Sequence, residues 1–135
     1  MDLKSQILEM IRLSSTNLST DVEEAIKAAA SNEDEGSPAK NALNTIIENI
    51  ALARSQSTPI CQDTGALIFY VDYKAGEHEK VYIDAIGEAV KEATAKQYLR
   101  PNAVDPITGK NSGNNTGTNA PYIHFHQWDK DYTRI

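Results

Sequence analysis

A chain of 135 residues with 40% hydrophobic and 24% charged residues is sized for one domain and one core, burying about two-thirds of the surface that its unfolded form exposes. Its formal charge of −6 and pI near 5.0 argue against nucleic acid or an anionic membrane as partner, because phosphate binding calls for a basic stripe. No apolar run approaches a membrane span, the first residues lack the pattern of a secretory signal, and a single cysteine cannot form an internal disulfide, so the expected setting is cytoplasmic.

Leu3, Ile7, Leu8 and Ile11 recur at helical spacing from Leu3 to Leu13, and Ser14-Ser15-Thr16-Asn17 breaks the pattern. Thr20-Asp21-Val22-Glu23 has the form of a capping box, which predicts a second helix starting at Thr20 and fraying between Asn32 and Gly36. The acidic residues Glu23, Glu24, Glu33, Asp34 and Glu35 read as its solvated face and tail. Ser37-Pro38 marks a third start, with Ser37 as cap and Pro38 at the first position, where its missing amide proton costs nothing. That helix is expected to carry Leu43, Ile46, Ile47 and Ile50 on one face and to run to about Arg54.

A polar stretch then leads into Pro59-Ile60-Cys61-Gln62-Asp63-Thr64-Gly65, which the surrounding pattern places on a loop. Ala66 to Tyr73 is apolar almost throughout, which predicts a strand buried on both faces. Val81 to about Tyr98 returns to helical spacing, and Pro121 to Trp128 alternates as a strand. The expected class is α/β, a helical first half followed by a mixed strand-helix-strand region. Phe69, Tyr70, Tyr73, Phe125 and Trp128 read as core. Arg100 to Ala120, with three glycines, five asparagines and two prolines, is far longer than an ordinary connection and is read as functional or mobile.

The chemistry-bearing residues gather around the one cysteine. Cys61 is a soft ligand suited to iron, though one thiolate does not hold a cluster; its other reading is a small buried hydrophobe. Asp63 is a candidate general acid or base and Gln62 a hydrogen-bonding group for a carboxylate or hydroxyl, while Asp63-Thr64-Gly65 also reads as a simple turn. Arg100, at the mouth of the long loop, has the planar fork that captures a carboxylate or phosphate, or is a solvated surface charge. The run from Gly109 to Gly117 is a weak candidate for an anion-binding nest. His124 and His126, two apart on a strand, share a face as a metal pair would, or stand there incidentally.

The motif Pro59 to Gly65, followed by an apolar strand, resembles the amino-terminal catalytic region of class I fumarases and tartrate dehydratases. About forty residues on, Leu99-Arg100-Pro101-Asn102-Ala103-Val104-Asp105-Pro106, Lys110-Asn111 and Asn114-Asn115-Thr116 resemble that family's second stretch in order and spacing, and Pro38-Lys40-Asn41-Ala42 joins the resemblance. The resemblance implies a hydro-lyase with a 4Fe-4S cluster, in which three cysteines hold three irons and the open iron acts as a Lewis acid on a dicarboxylate. Under it, Cys61 matches a cluster ligand, Gln62 and Arg100 match residues that hold substrate carboxylates, and Asp63 matches an acidic active-site residue.

The same resemblance implies an oligomer in which residues 1–135 form the amino-terminal part of an α-type catalytic domain, completed by the rest of the subunit and a β-type subunit or domain. The family's other two cluster cysteines are not among these residues, so this piece alone is expected to be inactive. Fumarate to malate is the expected reaction, with tartrate dehydration as the alternative. From another class, a non-catalytic assembly or binding module that retains the fold is also consistent with these residues.

Overall fold

The computed structural model describes residues 2–60 and 66–135. Helices α1 (Leu3–Thr16), α2 (Thr20–Asn32) and α3 (Pro38–Gln56) come first, followed by strand β1 (Ile68–Lys74), helix α4 (Glu79–Ala95) and strand β2 (Tyr122–Trp128). The mixed α/β class with a helical first half is therefore the observed one.

Asp2 starts α1 by accepting from the amide of Ser5 at 2.7 Å. The helix passes the expected break at Leu13, with Asn17 N still donating to Leu13 O at 3.1 Å, while the hydroxyls of Ser15 and Thr16 donate back to the carbonyls of Ile11 and Arg12, both at 2.8 Å. The capping box at Thr20 does not form. Ser19 is the cap, its side chain makes no cap bond, and the Glu23 carboxylate is held instead by Lys27 at 2.7 Å and by Arg54 of α3 at 2.5 Å. An ion pair to the neighbouring helix thus takes the carboxylate that the local motif would have used.

Gly36, with φ +75°, makes the left-handed turn between α2 and α3, a conformation that costs glycine little. Ser37 then caps α3 as expected, accepting from Lys40 N at 3.1 Å with Pro38 at the helix start. The α3 end lies at Gln56, where Ser57 turns left-handed and Thr58 N donates to Ala53 O.

β1 and β2 pair in parallel, Ile68 opposite Tyr122 through Lys74 opposite Trp128, with α4 in the crossover. On its other edge, β1 exchanges two backbone hydrogen bonds of 2.9 Å between Asp72 and Arg134. The core lies on one side of this sheet. Phe69, Val71 and Tyr73 meet Ile7 and Ile11 of α1 and Tyr82, Ile86, Ala89, Val90 and Ala93 of α4. Each of the valine, isoleucine and phenylalanine side chains contributes about 1.5–3 kcal/mol by leaving water, and each alanine methyl about 0.8 kcal/mol.

Burial along β1 alternates, contrary to the expectation of a strand covered on both faces. Ile68 and Tyr70 remain 52% and 68% exposed, so Tyr70 does not belong to the core. Its ring stacks on His124 at 5.0 Å between centroids. The apolar run was a misleading signal, because among the described residues the sheet has two strands and the core helices pack on one of its faces.

Candidate functional site

The segment that enters the cysteine motif is anchored by backbone. Ile60 N donates to Ser15 O at the end of α1 at 2.9 Å, and Arg12 Nη1 reaches Ser57 Oγ at 3.4 Å. On the far side, Tyr122 N donates to Leu67 O at 2.9 Å, fixing the chain where it enters β1. Cys61, Gln62 and Asp63 themselves lie outside the described residues.

Ala66, the first described residue after that stretch, lines a cavity of about 240 Å³ together with Arg100, Asn102, Asn119 and Tyr122. Arg100 is the one charged residue among the described residues that line it, and no carboxylate of a described residue joins it there. Its guanidinium makes no hydrogen bond or ion pair to another described residue. A concave site with a single available guanidinium suits a small anion, above all a carboxylate that can accept two parallel N–H bonds. A second cavity of about 310 Å³, bounded by Met10, Ile11 and Phe69, shares Leu67 and Leu99 with the first, and no charged side chain of a described residue lines it.

The end of α4 explains how Arg100 arrives at the cavity. Gln97 adopts φ +62°, Tyr98 N donates to Ala93 O and Gln97 N to Thr94 O, the paired bonds of a Schellman turn. The turn sends Leu99 into the core, where it is 7% exposed, and leaves Arg100 exposed at the cavity. The helix stops at Ala95, before the expected Tyr98, because this turn takes the carbonyls that a further helical turn would have used.

The long loop is built around its asparagines. Asn115 is 7% exposed, and its amide group makes four bonds: Oδ1 accepts from Asn102 N at 2.7 Å and Ala103 N at 3.1 Å, while Nδ2 donates to Arg100 O at 2.7 Å and Thr94 Oγ1 at 3.1 Å. Asn111 donates to Pro101 O at 2.6 Å and accepts from Gly113 N at 2.7 Å, and Asn114 accepts from Thr116 N at 3.0 Å. Asp105 Oδ1 gathers Thr108 N, the Thr108 hydroxyl and then Ile107 N, which holds its carboxyl below the usual range.

These bonds also answer the question of an anion nest between Gly109 and Gly117. The amides of Gly109, Ser112, Gly113, Thr116 and Gly117 are already donated within the loop, to Asp105 O, Ala103 O, Asn111 Oδ1, Asn114 Oδ1 and Ala120 O. A nest needs successive amides aimed at the ligand, and these five are committed within the loop instead. The structural weight of Asn115 was not read from the sequence. The available signal was an asparagine amid loop glycines, the residue type that tolerates a left-handed backbone, here φ +59°, while offering both donor and acceptor.

His124 and His126 do stand on the same exposed face, but each has another partner. His124 stacks on Tyr70, and His126 Nδ1 lies 2.9 Å from Asp72 Oδ1, whose carboxylate also takes Arg134 at 2.6 Å. Arg134 and then His126 lower the Asp72 pKa. Among the described residues, no group of three or more His, Cys, Asp or Glu side chains is gathered as a metal site. Nor is any helix among the described residues long and apolar enough to cross a membrane.

The family model of fumarate hydratase (Fumerase) matches residues 4–135. This chain belongs to that family. A Geobacillus stearothermophilus protein whose name assigns it to class I fumarate hydratase is 41% identical over 98% of this chain, which corresponds to 26% of its own length. A Methanocaldococcus jannaschii protein named as an L(+)-tartrate dehydratase α subunit is 35% identical over 99% of this chain and 47% of its own. The L(+)-tartrate dehydratase α subunit of Escherichia coli K12 is 33% identical over 85% of this chain and 37% of its own. The chain thus spans between about a quarter and a half of the length of these Fumerase-family relatives.

Proposed function

We propose that residues 1–135 form the dicarboxylate-binding amino-terminal part of a hydro-lyase that adds water to, or removes it from, a four-carbon dicarboxylic acid. The observation that carries this reading is the cavity at the start of β1, whose one charged lining residue among those described is Arg100, in a member of the Fumerase family. Fumarate and malate are the preferred pair, in line with the name of the relative at 41% identity. Tartrate dehydration is the second reading, favoured by relatives of similar coverage named as tartrate dehydratase α subunits.

In this reading Arg100 pairs with one substrate carboxylate through two N–H bonds, and Gln62 donates its amide N–H to the other. Between them the carbon skeleton is held in one orientation, which removes rotational freedom before any bond changes. Asp63, adjacent to Gln62, holds or moves a proton as water is added or lost. Cys61 is the thiolate that this chain offers to an iron-sulfur cluster. The sequence contains one cysteine, so residues 1–135 fit a 4Fe-4S cluster as the source of a single ligand, and the remaining ligands come from outside them. When bound, a cluster with an open iron supplies Lewis acidity toward a substrate oxygen. A β-type subunit or domain, an oligomer and a cytoplasmic setting complete the proposal.

The test uses the full-length gene product, purified anaerobically as wild type, Cys61→Ser and Arg100→Ala, with iron and sulfide analysis alongside fumarate hydration and L(+)-tartrate dehydration. Cys61→Ser is expected to lose both cluster and turnover. Arg100→Ala is expected to keep the cluster and raise KM by about 10–100-fold, the equivalent of one charged hydrogen-bonding contact. Retention of cluster and activity in Cys61→Ser, with an unchanged KM in Arg100→Ala, would refute the reading. The preferred of the two substrates decides between fumarate and tartrate.

A further inference from the structure

We infer that Asn115 is a positioning residue for the dicarboxylate site, acting through the backbone that carries Arg100; this rests on the reading of Arg100 as a substrate-binding residue. Four observations converge on it. The side chain is 7% exposed, and both ends of its amide are engaged. One end clamps the peptide units on the cavity side of Arg100, taking Asn102 N at 2.7 Å and Ala103 N at 3.1 Å. The other end donates to the carbonyl of Arg100 itself at 2.7 Å and to Thr94 Oγ1 at 3.1 Å. Thr94 is buried on α4, next to the fully buried Ala93, and its hydroxyl bonds back to Val90 O at 2.8 Å.

A continuous path of hydrogen bonds therefore links the core helix to the backbone of residues 100–103, the segment that walls the cavity. That segment has no strand ladder or helix of its own to hold it; Asn111 Nδ2 bonds Pro101 O at 2.6 Å and Ser112 N bonds Ala103 O at 3.0 Å, while the amides of Asn102 and Ala103 and the carbonyl of Arg100 are all held by the Asn115 side chain. Without it, the segment would sample several backbone positions, and the guanidinium would be out of register with the carboxylate for part of the time. A carboxylate held away from the reacting carbons is bound in the ground state and the transition state alike, so its loss raises KM more than it lowers kcat. A residue that merely supported the fold would lower the active fraction, and with it kcat, at constant KM.

The test compares wild type, Asn115→Gly, Asn115→Asp and Arg100→Ala in the full-length, cluster-loaded protein, with KM and kcat for fumarate and L(+)-tartrate and the thermal midpoint of each. Glycine accepts the φ of +59° and removes all four bonds; aspartate keeps the acceptor for Asn102 N and Ala103 N but loses the donor to Arg100 O. Asn115→Gly is expected to raise KM about tenfold with kcat within about threefold of wild type, and Asn115→Asp to fall between the two. An unchanged KM in Asn115→Gly, beside a raised KM in Arg100→Ala, overturns the inference and leaves the substrate reading intact. An unchanged KM in Arg100→Ala, or no turnover of either dicarboxylate by wild type, overturns the substrate reading and this inference with it. Should Asn115→Gly fail to unfold cooperatively, the KM of Asn115→Asp decides in the same way.

Discussion

Replacing Ile86 and Ile83 of α4 by alanine, one at a time, separates the core face of this helix from its outer face with the same chemical change three positions apart. Ile86 is 0% exposed and Ile83 is 46% exposed. Each substitution removes three carbons, about 2.4 kcal/mol of transfer free energy if fully buried, at about 0.8 kcal/mol per carbon. At Ile86 the neighbours from α1 and β1 cannot all close the gap, and the cavity term brings the expected loss to about 3–4 kcal/mol. At Ile83 about half the transfer value applies, no closed cavity forms, and alanine returns a few tenths of a kcal/mol of helix propensity, leaving about 1 kcal/mol or less. With a urea m-value of about 1.5 kcal/mol/M, the two variants of the 135-residue chain should differ in midpoint by about 1–2 M at constant m. Equal midpoints, or a larger loss at Ile83, would refute the assignment of the core to the Ile86 face.

Ser37→Ala should destabilise by about 1 kcal/mol, because it removes the acceptor for Lys40 N, whereas Ser19→Ala should cost about 0.5 kcal/mol or less, its side chain making no cap bond; chemical denaturation of both variants checks the pair. Glu92 sits between Lys4 at 2.6 Å and Lys96 at 2.8 Å, whose hydrogen bonds lower its pKa to about 2 from an ordinary value of 4.5. A depressed carboxylate stabilises the folded state above its unfolded pKa and loses that contribution as pH falls toward the folded value. Stability should therefore decline between about pH 5 and pH 2, and Glu92→Gln should show a shallower decline in thermal midpoint over that window; parallel curves would refute the role of this pair.

The start of α3 was legible at Ser37-Pro38 because a cap and its acceptor lie three residues apart, and the alternation at the second strand was legible for the same local reason. The motif at Thr20 placed the start of α2 correctly but misled about its cap, because Glu23 answers to Arg54, thirty-one residues away, and no local pattern records that partner. The apolarity of Ala66 to Tyr73 misled because it reports the side chains of a strand and not how many neighbours that strand has. Arg100 was legible as a candidate from its residue type and the family resemblance, whereas Asn115 stood in the resembling stretch with no role assigned, since its importance lies in four bonds to Thr94, Arg100, Asn102 and Ala103. By itself the sequence determined segment order and displayed the cysteine and arginine motifs, and it marked helix starts such as that at Ser37-Pro38, which are set by interactions spanning one or two turns of chain. Only the tertiary structure decided which face of β1 is buried, that Arg100 shares a cavity with Ala66, and that one asparagine holds the cavity wall, because these depend on groups brought together across many residues by the packing of α1 and α4 on the sheet.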